Sequence, residues 1–140
     1  MTPPTVSQDP GTAKAEIAKL ARARLKDAKA LLRARRYDGA YYLCGYSVEL
    51  ALKGRICRTL RWTHFPQSGN DTRSLRTHDL ELLLKFSGVE PRVKTQHGGE
   101  WSKVFEWNAE KRYDPVGRVT QTQASDMVTA STTLINYLLS

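Results

Sequence analysis

A chain of 140 residues with 22 Lys and Arg against 14 Asp and Glu carries a formal charge of +8. That length suits one hydrophobic core and is too short for two. A mean hydropathy of −0.51, with no run near the roughly 20 apolar residues of a membrane span, argues against an integral helical membrane protein. The positive balance favours anionic partners such as RNA, DNA, a nucleotide or an acidic protein.

The opening "MTPPTVSQDPGT" has neither the charged nor the apolar region of a signal peptide. It reads as a disordered arm over residues 1–12, and the expected location is the cytoplasm. Residues 13–140 read as one domain. Residues 13–36 are rich in Ala, Leu, Lys and Arg and lack Gly and Pro, which predicts a helix. Its apolar stripe runs through Ile17, Leu20, Ala21, Leu25, Ala28, Leu31 and Leu32.

"YDG" at 37–39 breaks the pattern, and Asp38 is expected to cap the next helix, about 39–60. That helix carries Leu43, Ser47, Leu50, Gly54 and Cys57 on one track, with Ala40, Cys44, Val48, Ala51 and Leu52 beside it. So much apolar and small surface predicts the central, most buried helix. Gly45 and Gly54 cost helix propensity, and the expected reason is close approach of another backbone. Cys44 and Cys57 share this helix with Cα atoms roughly 20 Å apart, so they do not pair within it and read as reduced.

Residues 61–77 read as a loop punctuated by Pro66, Gly69, Asn70 and Asp71. "HDLELLLKFSG" predicts a short third helix capped by Thr77 and stopped by Gly88. Residues 89–100 read as loop, and "WSKVFEWNAEKRY" (101–113) as a fourth helix. After a connection through Pro115, the last helix has the clearest periodicity: Ala124, Met127, Val128, Ser131, Leu134, Ile135 and Leu138, capped by Thr120 or Thr122. No strand pattern stands out. The expected fold is an all-α, up-and-down bundle of four to five helices.

Four stretches in this order resemble the HEPN family (higher eukaryotes and prokaryotes nucleotide-binding domains). "LLRARRYDGAYYLCGYSVELALKGRI" is similar to the family's paired opening helices, with a Tyr-Asp junction and Glu-x-x-x-Lys. "THDLELLL" is similar to its His-Asp-Leu helix start, "WNAEKRYDP" to its Arg-Tyr segment, and the C-terminal helix to its closing helix. The resemblance spans about residues 14–139. It implies a helical bundle that often dimerises, in a family of RNA-cleaving toxins, defence effectors, nucleotidyltransferase partners and non-catalytic binding modules.

In catalytic members an Arg and a His spaced R-x4-6-H face their counterparts across a dimer and cut RNA without a metal. The His acts as general acid or base and the Arg fork stabilises phosphate charge. Three pairs satisfy that spacing here: Arg58–His64, Arg73–His78 and Arg92–His97. With Arg this frequent, chance matches are expected. The family motif usually lies late in the chain, yet no His follows His97, so Arg112 has no downstream partner. This departure weighs against nuclease activity. "RSLRTHDL" therefore has two readings. In one, Thr77 caps a helix with Asp79 and Glu81 in its first turn, where the dipole favours negative charge. In the other, Arg73 and His78 are catalytic.

Glu49 and Lys53 are either an i,i+4 helix salt bridge or a polar pair facing a ligand cleft. Arg112, Tyr113 and Asp114 either contact Glu49 or offer a cation and an aromatic face to a base or phosphate. Arg58, Arg61 and Trp62 in "RTLRWTHF" are the best candidates for stacking a nucleotide, unless Trp62 and Phe65 only tuck a loop onto the core. No glycine-rich phosphate loop, nucleophile elbow or zinc spacing occurs, so neither a cofactor nor a metal is expected.

The leading expectation is a non-catalytic homodimeric domain that binds RNA or a nucleotide through Glu49, Lys53, Arg58, Arg61, Trp62, Arg112 and Tyr113. It would act with a co-encoded nucleotidyltransferase, a toxin–antitoxin system or an antiphage system. One alternative is a metal-independent endoribonuclease toxin using Arg73 and His78. Another is an interaction module docking an acidic partner.

Overall fold

The computed structural model describes residues 11–140. Three long helices make the frame: α1 (Lys14–Arg33), α2 (Tyr37–Leu60) and α6 (Gln121–Leu138). Three short ones, α3 (Leu80–Phe86), α4 (Glu90–Gln96) and α5 (Gly98–Val104), lie between α2 and α6.

The connection between α1 and α2 is tight, with Arg35 in the left-handed region at φ 62°. At the far end, Thr12 pairs with Phe65 and Ala13 with His64 in a two-residue antiparallel ladder, β1 (Thr12–Ala13) with β2 (His64–Phe65). The start of α1 therefore lies beside the end of α2, and the two helices run antiparallel. At α6, Val119 just before it bonds Asp38 at the start of α2, and Leu139 after it meets Gly54 near the end of α2. So α6 runs alongside α2 in the same direction, and the return runs along α5, from His97 beside Tyr137 at the end of α6 to Lys103 beside Asp126 near its start.

α2 is the buried centre, as its composition predicts: twelve of its residues are buried, Glu49 among them. Ser47 Oγ donates to the Ala21 carbonyl at 2.6 Å, tying α2 to α1. Gly45 and Gly54 of α2 admit side chains rather than a backbone. The Trp107 indole occupies the space of a Gly45 Cβ, and Leu139 and Ile17 lie against Gly54. Cys44 and Cys57 are buried free thiols, and burial pushes the Cys44 thiol up to about 12.

Several local expectations are corrected. Thr12, assigned above to the arm, is paired in β1, and residues 1–10 lie outside the described residues. Asp38 is inside the first turn of α2, and its carboxylate accepts from the Gly117 and Val119 amides at 2.6 and 3.0 Å. Asp79, not Thr77, caps α3 by accepting from Leu82 N; Thr77 Oγ1 accepts from Asp79 N. Residues 89–100 are not loop, because Pro91 sits in the first turn of α4, where a missing N–H costs nothing. The expected helix 101–113 is broken after Val104 and resumes as a 3-10 turn at Ala109–Tyr113. Thr120 caps α6 in a reciprocal capping box with Gln123.

Candidate functional site

α2 turns Tyr46, Glu49, Leu50 and Lys53 toward one cleft of about 410 Å³. Glu49 is only 1% exposed, so its charge must be met within the protein. Lys53 Nζ donates to Oε2 at 2.9 Å. His78 Nδ1 lies 3.0 and 2.9 Å from the two carboxylate oxygens. The i,i+4 helix pair is thus part of a three-membered network. A carboxylate only accepts, so Nδ1 carries a hydrogen, and Glu49 makes no use of Nε2. The His78 side chain is 63% exposed at this cleft.

Arg76 and Gln67 also line this cleft, whereas Arg73 does not. Arg73 is exposed in a 3-10 turn, Arg73–Leu75. Arg76 Nη1 donates to Gly69 O and Thr72 Oγ1, both at 2.9 Å. Within one chain, then, the arginine beside His78 is Arg76, two residues before it, and not the motif arginine five residues before it.

Arg58, Arg61 and Trp62 stand at the other predicted place, the end of α2. Arg61 adopts the left-handed conformation at φ 59°, and Trp62 N donates back to Cys57 O at 2.8 Å. This closing turn swings Trp62 into a cleft of about 710 Å³, which also holds Lys14, Thr63, Leu138, Leu139 and Ser140. Trp62 packs one side on the core while Phe65, 5% exposed, is part of it. Three basic side chains line the cleft and no acidic one does.

Arg112 and Tyr113 occupy a third place. The Arg112 guanidinium lies 4.7 Å from the Tyr113 ring centroid and donates to Ala109 O at 3.0 Å. Hydrogen bonding to Tyr113 and then to Tyr42 raises the Arg112 pKa. Arg112 lines a cleft of about 300 Å³ with Tyr41, Tyr42, Lys111 and Arg118. Asp114 pairs with Lys111 at 3.9 Å. The Arg112–Asp114 segment is therefore not the partner of Glu49, whose contacts are Lys53 and His78.

Most of the predicted residues thus fall into three separate clefts, while Arg73 lines none of them and Tyr113 stands beside the third through Arg112. Lys14 and Arg76 were missed as site residues. Lys14 looks like one more surface charge until the β1–β2 ladder brings it to the end of α2. Arg76 is hidden by the stronger motif spacing of Arg73. The other two motif histidines lie elsewhere, His64 in β2 and His97 between α4 and α5. Among the described residues, no group of His, Cys, Asp and Glu is arranged to hold a metal. No helix there is long and apolar enough to cross a membrane.

A family model described as HEPN domain matches residues 16–140. Nothing among curated proteins or solved structures matches the chain.

Proposed function

This chain belongs to the HEPN domain family, and from that premise we propose that it binds RNA or a nucleotide without itself cleaving it. The observation that carries this reading is the cleft of Lys14, Arg58, Arg61 and Trp62, lined by three cations and no acid. Its volume of about 710 Å³ suits a nucleotide-sized ligand. Arginine forks match phosphate oxygens, and a half-buried indole gives a face for a base, worth about 1–3 kcal/mol when stacked. No histidine or carboxylate side chain lines the cleft to move a proton, which favours binding over cleavage there. The net charge of +8 supports an anionic ligand. By family resemblance, the domain acts as a homodimer beside a nucleotidyltransferase, a toxin–antitoxin component or an antiphage component.

The test is fluorescence-anisotropy titration of single-stranded RNA across a salt series. Steeply salt-dependent binding, weakened by Arg61→Gln and Trp62→Ala, is the expected result. Absence of RNA and nucleotide binding, with capture of an acidic protein partner instead, would overturn it.

One observation favours a second reading, a metal-independent endoribonuclease. Glu49 holds His78 through Nδ1 in a cleft that Lys53 and Arg76 also line. In that reading His78 is the general base for a 2′-hydroxyl, and a cation supports the phosphate. RNA cleavage in EDTA that disappears in His78→Ala, and not in His64→Ala or His97→Ala, would establish it. Comparing Arg73→Ala with Arg76→Ala would then show which arginine acts.

A further inference from the structure

A second basic cluster lies on the α2–α4–α6 side of the molecule. Arg55 and Arg58 are three residues apart on α2, Arg92 is on α4, His97 follows α4, and Tyr137 is near the end of α6. The Arg55 guanidinium lies 5.7 Å from the Tyr137 ring centroid, and the His97 ring lies 4.9 Å from it. Tyr137 is thus the hub that brings α2 and the α4–α5 junction together.

Two atoms of this hub are left without a partner. Arg55 Nε and the Tyr137 hydroxyl are both shielded from solvent and make no hydrogen bond. Folded proteins rarely leave such groups unsatisfied, and each exception calls for an explanation. Both can donate, so an acceptor-only group admitted by a shift of the Arg55 and Tyr137 side chains would satisfy both. Charge points the same way. Among the described residues no Asp or Glu side chain pairs with Arg55, Arg58 or Arg92. Burial, then the like charges of Arg58 and Arg92, hold the Arg55 guanidinium below its ordinary value, with Tyr137 acting in the opposite direction. Glu100 stands 3.9 Å from His97 Nδ1.

We infer that Arg55, Arg58 and Arg92, with the Tyr137 hydroxyl, hold a phosphate group of RNA that continues out of the Lys14–Trp62 cleft. Arg58 joins the two places, since it lines that cleft and also repels Arg55. Its Nη1 donates to Ser140 O, and the rest of its fork stays available. A phosphodiester offers acceptors only and carries the negative charge that the three arginines lack. The RNA part of this inference rests on the function proposed above; the phosphate part does not.

Two measurements on the full chain separate them. The first is oligouridylate binding across a salt series for wild type, Arg92→Gln, and the Arg61→Gln/Trp62→Ala cleft variant. The second is titration with inorganic phosphate while the Arg55 Nε–H resonance is followed by NMR, with Arg55→Lys to assign the signal. Arg92 is exposed, so its variant is expected to fold normally. The expected result is weaker RNA binding by Arg92→Gln, a salt slope shallower by about 0.7, and a phosphate-induced shift of the Arg55 resonance that Arg92→Gln diminishes. RNA binding lost only in the cleft variant, with Arg55 unmoved by phosphate, overturns the inference and leaves the cleft reading intact. A phosphate shift at Arg55 without any RNA binding by wild type upholds the phosphate site and overturns the cleft reading. Neither RNA binding nor a shift overturns both.

Discussion

Glu49 holds the His78 ring with both carboxylate oxygens, at 3.0 and 2.9 Å from Nδ1, across 29 residues of sequence. The two partners of this carboxylate differ in exposure: the Lys53 side chain is 15% exposed and that of His78 63%. Removing the buried partner strands a buried charge, whereas water can replace the exposed one. Lys53→Met should therefore cost about 3 kcal/mol and His78→Ala only about 1 kcal/mol. Replacing both members, as Glu49→Leu with Lys53→Met, should recover much of the larger loss. Urea unfolding of the single and double variants checks this, and equal costs for the two single changes would contradict the network.

What the sequence shows of this arrangement, and what it hides, follows from distance along the chain. The frame was legible because α1, α2 and α6 repeat their apolar residues with helical period over many turns. Glu49 and Lys53 were legible as a pair because they lie one turn apart. Their link to His78 was not, since nothing local relates α2 to the start of α3. The same holds for Lys14 beside Arg61 and for Arg55 beside Tyr137, which only the packing of α1 and α6 on α2 creates. Misreadings at 89–100 have a different cause. Pro91, Gly98 and Gly99 look like loop punctuation, yet each lies in the first turn of a short helix, where these residues are tolerated.

Gly45 and Gly99 are both helical glycines and should respond to Ala in opposite directions. A Cβ at Gly45 would enter the Trp107 indole, while one at Gly99 meets nothing within 4 Å. Gly45→Ala should destabilise by about 1–3 kcal/mol through overpacking. Gly99→Ala should stabilise by about 0.5 kcal/mol through lower unfolded-state entropy. Thermal unfolding of both variants tests the contrast, and a neutral Gly45→Ala would mean that Trp107 does not pack against α2 in solution.

The two thiols should be inert in the folded protein. Burial pushes Cys44 up to about 12 and raises Cys57 as well, so at neutral pH the thiolate, which is the reactive form, is scarce at both. Reaction with a disulfide reagent should be slow in native buffer and become fast in denaturant, at two thiols per chain. Fast native labelling would show that α2 opens far more readily than its burial allows.

Asp38 fastens the 114–119 loop to the start of α2, and its titration gives that contact a direction with pH. The Gly117 amide, then the Val119 amide, hold its carboxyl below the ordinary value of 3.8. A folded value below the unfolded one means that the stabilisation is complete above the unfolded value. It is lost as pH falls through the folded one. Amide exchange at Gly117 and Val119 should therefore be protected near neutral pH and lose that protection as pH falls through the lowered folded value, once intrinsic exchange is corrected for. Asp38→Ala should speed exchange at both amides several-fold at neutral pH, and Asp38→Asn should do so less, because its amide oxygen still accepts. Arg112 and Arg118 line the cleft under the same loop. If freeing the loop leaves RNA affinity unchanged, that third cleft takes no part in binding; a parallel loss of affinity in Asp38→Ala would bring Arg112 and Tyr113 into the interface.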